Sequence, residues 1–109
     1  MLSGQLLDRR YLIGQRLGQH DDSELYAATH VLVHKPVIVR VLTSAANVKR
    51  FQDEARSLSA RRTDRIGLCD FGLFAPHALP AMVFEVADDV TIDELLTYLR
   101  EQPRTPETT

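Results

Sequence analysis

Cysteine is almost missing: Cys69 stands alone among 109 residues, which excludes an internal disulfide and suits a reducing compartment. No apolar run approaches the ~18 residues that a membrane-spanning helix requires. The opening decapeptide, MLSGQLLDRR, lacks the basic-then-apolar layout of a secretory signal. Charge of one sign is not in excess either, since 13 basic and 15 acidic side chains are interspersed for a net −2. That balance offers no footprint for nucleic acid and no polybasic membrane patch. The cytoplasm is therefore the expected location, with neither nucleic acid nor membrane as a partner. Paired metal-ligand spacing is also lacking among His20, His30, His34, His77 and Cys69, so no metal is expected. His30 and His34 share a face of an extended segment but have no third ligand. Ser57 and Ser59 have no His or Asp arranged to activate them.

What is present is ordinary globular composition, 44% hydrophobic and 26% charged, enough for one modest core in a single domain. Residues 1–101 are read as that domain and 102–109 (QPRTPETT) as a tail or linker. From Tyr11 to Leu17, bulky and polar residues alternate, which predicts a half-buried strand within RYLIGQRLG. The polar QHDDS reads as a turn. ELYAATH and the β-branched KPVIVRVL follow as strands, joined through the apolar VLVHK. The period then changes. Val48, Phe51, Ala55 and Leu58 are spaced three, four and three apart, one stripe of a helix that Ser44 is placed to cap.

RIGLCDFGLF and PAMVFEVA are two further strands, with Cys69 and Phe71 expected in the core. TIDELLTYLREQ returns to helical spacing through Ile92, Leu95, Leu96 and Leu99, with Thr91 or Asp89 as its cap and Pro103 as its stop. Arg56, Arg61, Arg62 and Arg65 fall near the end of the first helix, interrupted by Asp64 and without interleaved aromatics. They read as a solvated helix end. Three strands, a helix, two strands and a helix predict an α+β fold: a five-stranded antiparallel sheet with one packed helix and a C-terminal helix beyond it.

This order and its wording resemble the small, ATP-cradling lobe of bacterial Ser/Thr protein kinases. GQLLDRRYLIGQRLG is similar to the family's first strand, SELYAATH to its second and PVIVRVL to its third. RFQDEARSL is similar to the helix that carries a partner Glu. PAMVFEVADDVTIDELL is similar to the fifth strand, the hinge and the next helix. The resemblance runs from about Gly4 to Leu99. Asp70-Phe71-Gly72 has the wording of the family's metal-binding triplet, but in this register it lies before the hinge, at the end of the fourth strand.

Residue by residue, the resemblance implies a degenerate nucleotide site at Gly18, Arg40, Glu54 and Phe84. Of the glycine-rich loop only Gly18 remains, and Asp21 and Asp22 stand where glycine amides would approach phosphate. Arg40 replaces the strand Lys, with Glu54 as its expected partner. The His-Arg-Asp catalytic loop does not occur in these residues, and neither does the rest of the large lobe. The resemblance thus implies no catalytic residue, no cofactor and no enzymatic activity, but a protein-binding or self-associating module of a bacterial signalling or assembly system. Phe84, Val86, Ile92, Leu95, Leu96 and Leu99 are the candidate interaction surface. Two alternatives remain open: a weak ATP or ADP sensor, and one lobe of a split or longer kinase.

Overall fold

The computed structural model describes residues 2–43 and 48–100. Six strands and two helices follow in the order β1 (Leu6–Leu7), β2 (Tyr11–His20), β3 (Ser23–His30), β4 (Lys35–Leu42), α1 (Val48–Ala60), β5 (Ile66–Phe74), β6 (Leu79–Val86) and α2 (Ile92–Arg100). All strands join one antiparallel sheet in the order β1-β2-β3-β4-β6-β5. The fold is α+β, and the expectation of five strands is corrected to six. The extra strand is β1, whose two residues pair Leu6 with Leu12 and Leu7 with Tyr11. Two residues are too few to show a period, so alternation could not reveal it.

The sheet curls into a half-barrel whose two edges meet at one corner. There the Asp8 N–H donates to the Ala75 carbonyl at 2.8 Å. Tyr11 stacks on Phe74 at 5.5 Å between ring centroids, and its hydroxyl donates to Asp70 Oδ2 at 2.6 Å. Burial and this carboxylate both push the Tyr11 hydroxyl pKa up. Inside the curl Leu7, Tyr11, Ile13, Tyr26, Val37, Val39, Val41, Phe74 and Val83 form one core cluster. On the other face Leu25, Leu42, Met82 and Phe84 pack with Phe51, Ala55 and Leu58 of α1 and Leu95, Tyr98 and Leu99 of α2. Both helices therefore share one core, which corrects the picture of a single packed helix with a second lying beyond it. β4 shows why both faces need cover: Val37, Val39 and Val41 point into the curl while Arg40 and Leu42 point toward the helices.

Thr91 caps α2, its Oγ1 accepting from the Glu94 N–H at 3.1 Å. The proposed cap of α1, Ser44, lies outside the described residues, as do 102–109. β5 departs from expectation in a second way. A bulge sets Leu68 opposite Phe84 but Asp70 opposite Val83, so Cys69 is the inserted residue. Parity inverts beyond it, turning Asp70 into the curl toward Tyr11. Cys69 and Phe71 are exposed rather than core, while the strand runs to Phe74 as RIGLCDFGLF suggests. This edge is also shielded. Arg62 lies across Gly67, close enough that any Cβ there would meet its guanidinium, and it donates to the Leu68 carbonyl at 3.3 Å.

Candidate functional site

β-Ladder register brings the principal group together. Leu25 pairs with Arg40 and Arg40 with Met82, so the Arg40 side chain emerges mid-sheet beneath α1. Only 1% of Arg40 is exposed. A buried guanidinium must have its donors satisfied, and here three protein groups do so. Its Nε donates to Ser23 Oγ at 2.7 Å, one terminal nitrogen to Glu54 Oε1 at 3.0 Å, and the other to Met82 Sδ at 3.7 Å. The Phe51 ring lies 5.1 Å from the guanidinium carbon, adding a cation–π contact. Burial lowers the Arg40 pKa, and Glu54 opposes that shift by favouring the charged form. Arg40 and Glu54, singled out from the sequence, are thus in direct contact. Ser23, Phe51 and Met82 were not foreseen, because only strand pairing and helix placement deliver them.

Gly18 does not sit in an open loop. It pairs with Leu25 inside β2, Gln19 pairs with Glu24 and His20 with Ser23, leaving Asp21-Asp22 as a two-residue hairpin turn. Asp21 takes the left-handed conformation at φ 53° that such a turn requires. The turn is fastened at both sides. The Thr43 N–H and Oγ1 each donate to the Asp22 carbonyl at 2.7 Å, and Arg50 pairs with Asp21 at 3.3 Å. Ser23 Oγ, besides accepting from Arg40, donates to the His20 carbonyl at 2.5 Å. The His20 imidazole lies 3.6 Å from Asp21, and burial followed by the Arg40 charge lowers its pKa.

Asp21, Asp22, Arg40, Leu42, Arg50, Phe51 and Glu54 line a hollow of about 210 Å³, counting its space open to solvent. Of that space only about 10 Å³ can take the centre of a water molecule, room for about one water, so the hollow as it stands does not admit a nucleotide. Three carboxylates face two guanidiniums there, and one of those guanidiniums, Arg40, already has a protein partner on each of its nitrogens. That rim disfavours a polyphosphate. Among the described residues no three His, Cys, Asp or Glu side chains are placed to hold a metal ion.

The surface read from the sequence is redistributed. Phe84 is fully buried, as are Leu95 and Leu99 at 1–2% exposure, Val86 and Leu96 are half-buried against the same core, and Ile92 is half-buried. β6 is an interior strand, flanked by β4 and β5, and the two helices cover the sheet face from which Phe84 projects. α2 folds back onto the sheet and is latched there. Arg65 makes a bidentate pair with Glu94 at 2.6 and 2.8 Å, and the Tyr98 hydroxyl donates to the Arg61 carbonyl at 3.2 Å. Large apolar side chains reach solvent elsewhere: Leu6, Leu12, Leu32, Val33, Phe71 and Leu73. Among the described residues no helix is long and apolar enough to cross a membrane.

No protein-family model matches the chain, and no curated protein matches its sequence.

Proposed function

We propose that this chain is a catalytically inactive, kinase-like module of bacterial type that acts by binding protein, whether a second copy or another chain. One observation carries the reading. The guanidinium at the position expected to meet phosphate is turned inward, with Ser23, Glu54 and Met82 as partners for all three of its nitrogens. What would be a ligand-binding cation works as an internal tie between sheet and helix. Asp21 and Asp22 add negative charge at the mouth of the same hollow, and the tight hairpin engages backbone amides that an open glycine loop would offer. A phosphoryl-transfer site also needs a catalytic carboxylate and metal ligands in a fixed arrangement, and these residues contain no His-Arg-Asp loop to supply one. We place the module in the cytoplasm on the strength of its single cysteine.

Melting temperature measured while titrating ATP and ADP, with and without magnesium, tests the reading. A ligand at 100 times its dissociation constant stabilises a fold by ~2.7 kcal/mol, several degrees in a domain of this size. No shift into the millimolar range is expected. A saturable shift would overturn the proposal in favour of a nucleotide sensor.

A further inference from the structure

The two helices are fastened to the sheet in different ways. α1 carries Glu54, whose carboxylate meets the buried Arg40, and its Arg50 reaches the hairpin turn at Asp21. It also lies between β4 and β5 in the chain, so it cannot lift without pulling on a strand at each end. Among the described residues α2 makes no buried ion pair. Its apolar side chains Leu95, Tyr98 and Leu99 pack with Leu25, Ile66 and Phe84, but its side-chain polar links all run to residues 61–65. Glu94 pairs with Arg65, and Arg65 also holds Asp89 at 3.3 Å, just ahead of the helix. These three side chains are 41% (Arg65), 38% (Glu94) and 77% (Asp89) exposed. Exposed pairs of this kind hold weakly and are screened by salt. α2 is the last element described, so its departure would break no strand pairing.

The closed position of α2 also carries a cost. Tyr98 lies over Arg61, its ring centroid 5.1 Å from the guanidinium carbon. Arg61 Nη1 is buried there without a hydrogen-bond partner among the described residues. A cationic nitrogen shut from water and unpaired is destabilising, and the cation–π contact offsets only part of that. Lifting Tyr98 away would return the nitrogen to water. A pivot is present as well. The Ala87 N–H donates to the Arg65 carbonyl at 2.8 Å, which fixes the end of β6, and the next cross-link is the turn from the Val90 N–H to the Ala87 carbonyl at 3.0 Å.

We propose that α2 is a strap that opens as a unit about residues 88–91 while the sheet and α1 stay folded, with the Arg65 pairs as its latch. Elements that open sub-globally are those with few buried ties to the rest of the fold. The open form brings Phe84, Leu95 and Leu99 to solvent, so access to these three side chains is conditional on the latch. The use of that access in binding protein rests on the proposed function; the opening itself does not.

Native-state hydrogen exchange of the full chain, followed by NMR at increasing low urea, tests this. The amides of Leu95, Leu96, Tyr98 and Leu99 should share one exchange behaviour, at rates at least about tenfold above those of β4 and with a shallower urea dependence, because less surface is exposed. Arg65→Gln should speed α2 exchange by about two- to fivefold. Glu54→Gln supplies the complementary case, since the Arg40 pair it weakens stays formed in the open strap. It should speed β4 exchange by roughly 30-fold or more and leave α2 exchange as it was. Exchange of α2 with the rate and urea slope of β4 would overturn the inference, and so would α2 amides that accelerate with β4 in Glu54→Gln. Rates graded toward Arg100 would mean end fraying and overturn it too, as would an Arg65→Gln variant whose α2 exchange is unchanged. A strap that opens only with the whole fold fails this inference alone. A nucleotide-induced shift in melting temperature fails the proposed function and leaves the strap standing.

Discussion

Glu54→Gln should be among the most damaging single-atom-scale changes in this molecule. Arg40 is 1% exposed, and its Glu54 partner lies 3.0 Å away with a side chain only 21% exposed. At that separation and an effective dielectric near 20, the Coulomb attraction is about 5 kcal/mol. Removing one partner from a buried pair commonly costs ~3–5 kcal/mol, since the remaining charge stays desolvated. Gln keeps a neutral acceptor near the guanidinium and water reaches that side of the pair, so about 2–3 kcal/mol is expected. Ser23 and the Phe51 ring hold Arg40 in place meanwhile. Small domains have only ~5–15 kcal/mol in total, so the loss is a large fraction. In urea, with a slope of ~1–3 kcal/mol/M, the unfolding midpoint should fall by roughly 1–2 M at constant slope. Arg40→Met added to Glu54→Gln should recover most of the loss, because an apolar chain of similar length no longer demands a counter-charge. A midpoint within error of wild type for Glu54→Gln would refute the reasoning. So would a double variant no more stable than the single one.

Two further outcomes follow from the packing and the titrating groups. Leu95→Ala, which hollows the core shared by both helices, should cost about 2–4 kcal/mol, whereas Glu94→Ala, which breaks the exposed pair with Arg65, should cost about 0–1 kcal/mol; comparison of their urea midpoints checks the ranking. His20 has its pKa lowered by burial and then by Arg40, with Asp21 and Glu54 opposing and Arg100 reinforcing the shift. The folded state therefore binds this proton less readily than the unfolded chain. The associated stability is complete above the ordinary histidine value of ~6.5 and is lost as pH falls from there through the lowered folded value. Wild type should lose stability over that interval before the carboxylates titrate, and His20→Gln should flatten the slope; an identical pH profile for the two would count against the assignment.

How much was legible in advance differs by element. β3 and β4 are recognisable from their Val, Ile, Tyr and Thr content, but the apolar VLVHK between them carries no turn signal, so only strand pairing fixes their facing ends. The stripe of Phe51, Ala55 and Leu58 identifies the buried face of α1 by its period alone. Thr91 is legible as a cap from its place before Ile92-Asp93-Glu94. Arg40 and Glu54 were paired from the sequence through a family resemblance, not through spacing, and Ser23 and Met82 had no signal that could have joined them to the pair.

The amino-acid sequence by itself determined the local periods, the helix faces, the lack of a disulfide partner for Cys69 and the chemistry available near residue 40. Those properties depend on neighbours a few positions apart, where backbone geometry decides. Only the tertiary structure decided the sixth strand, the bulge that turns Asp70 inward and Cys69 and Phe71 outward, the burial of Phe84, Leu95 and Leu99, and the isolation of Leu32 and Val33 in solvent. Each of these depends on which strand lies beside which and on where a helix comes to rest. An apolar side chain carries the same preference for burial wherever it stands, and whether the fold grants it is a property of the whole chain.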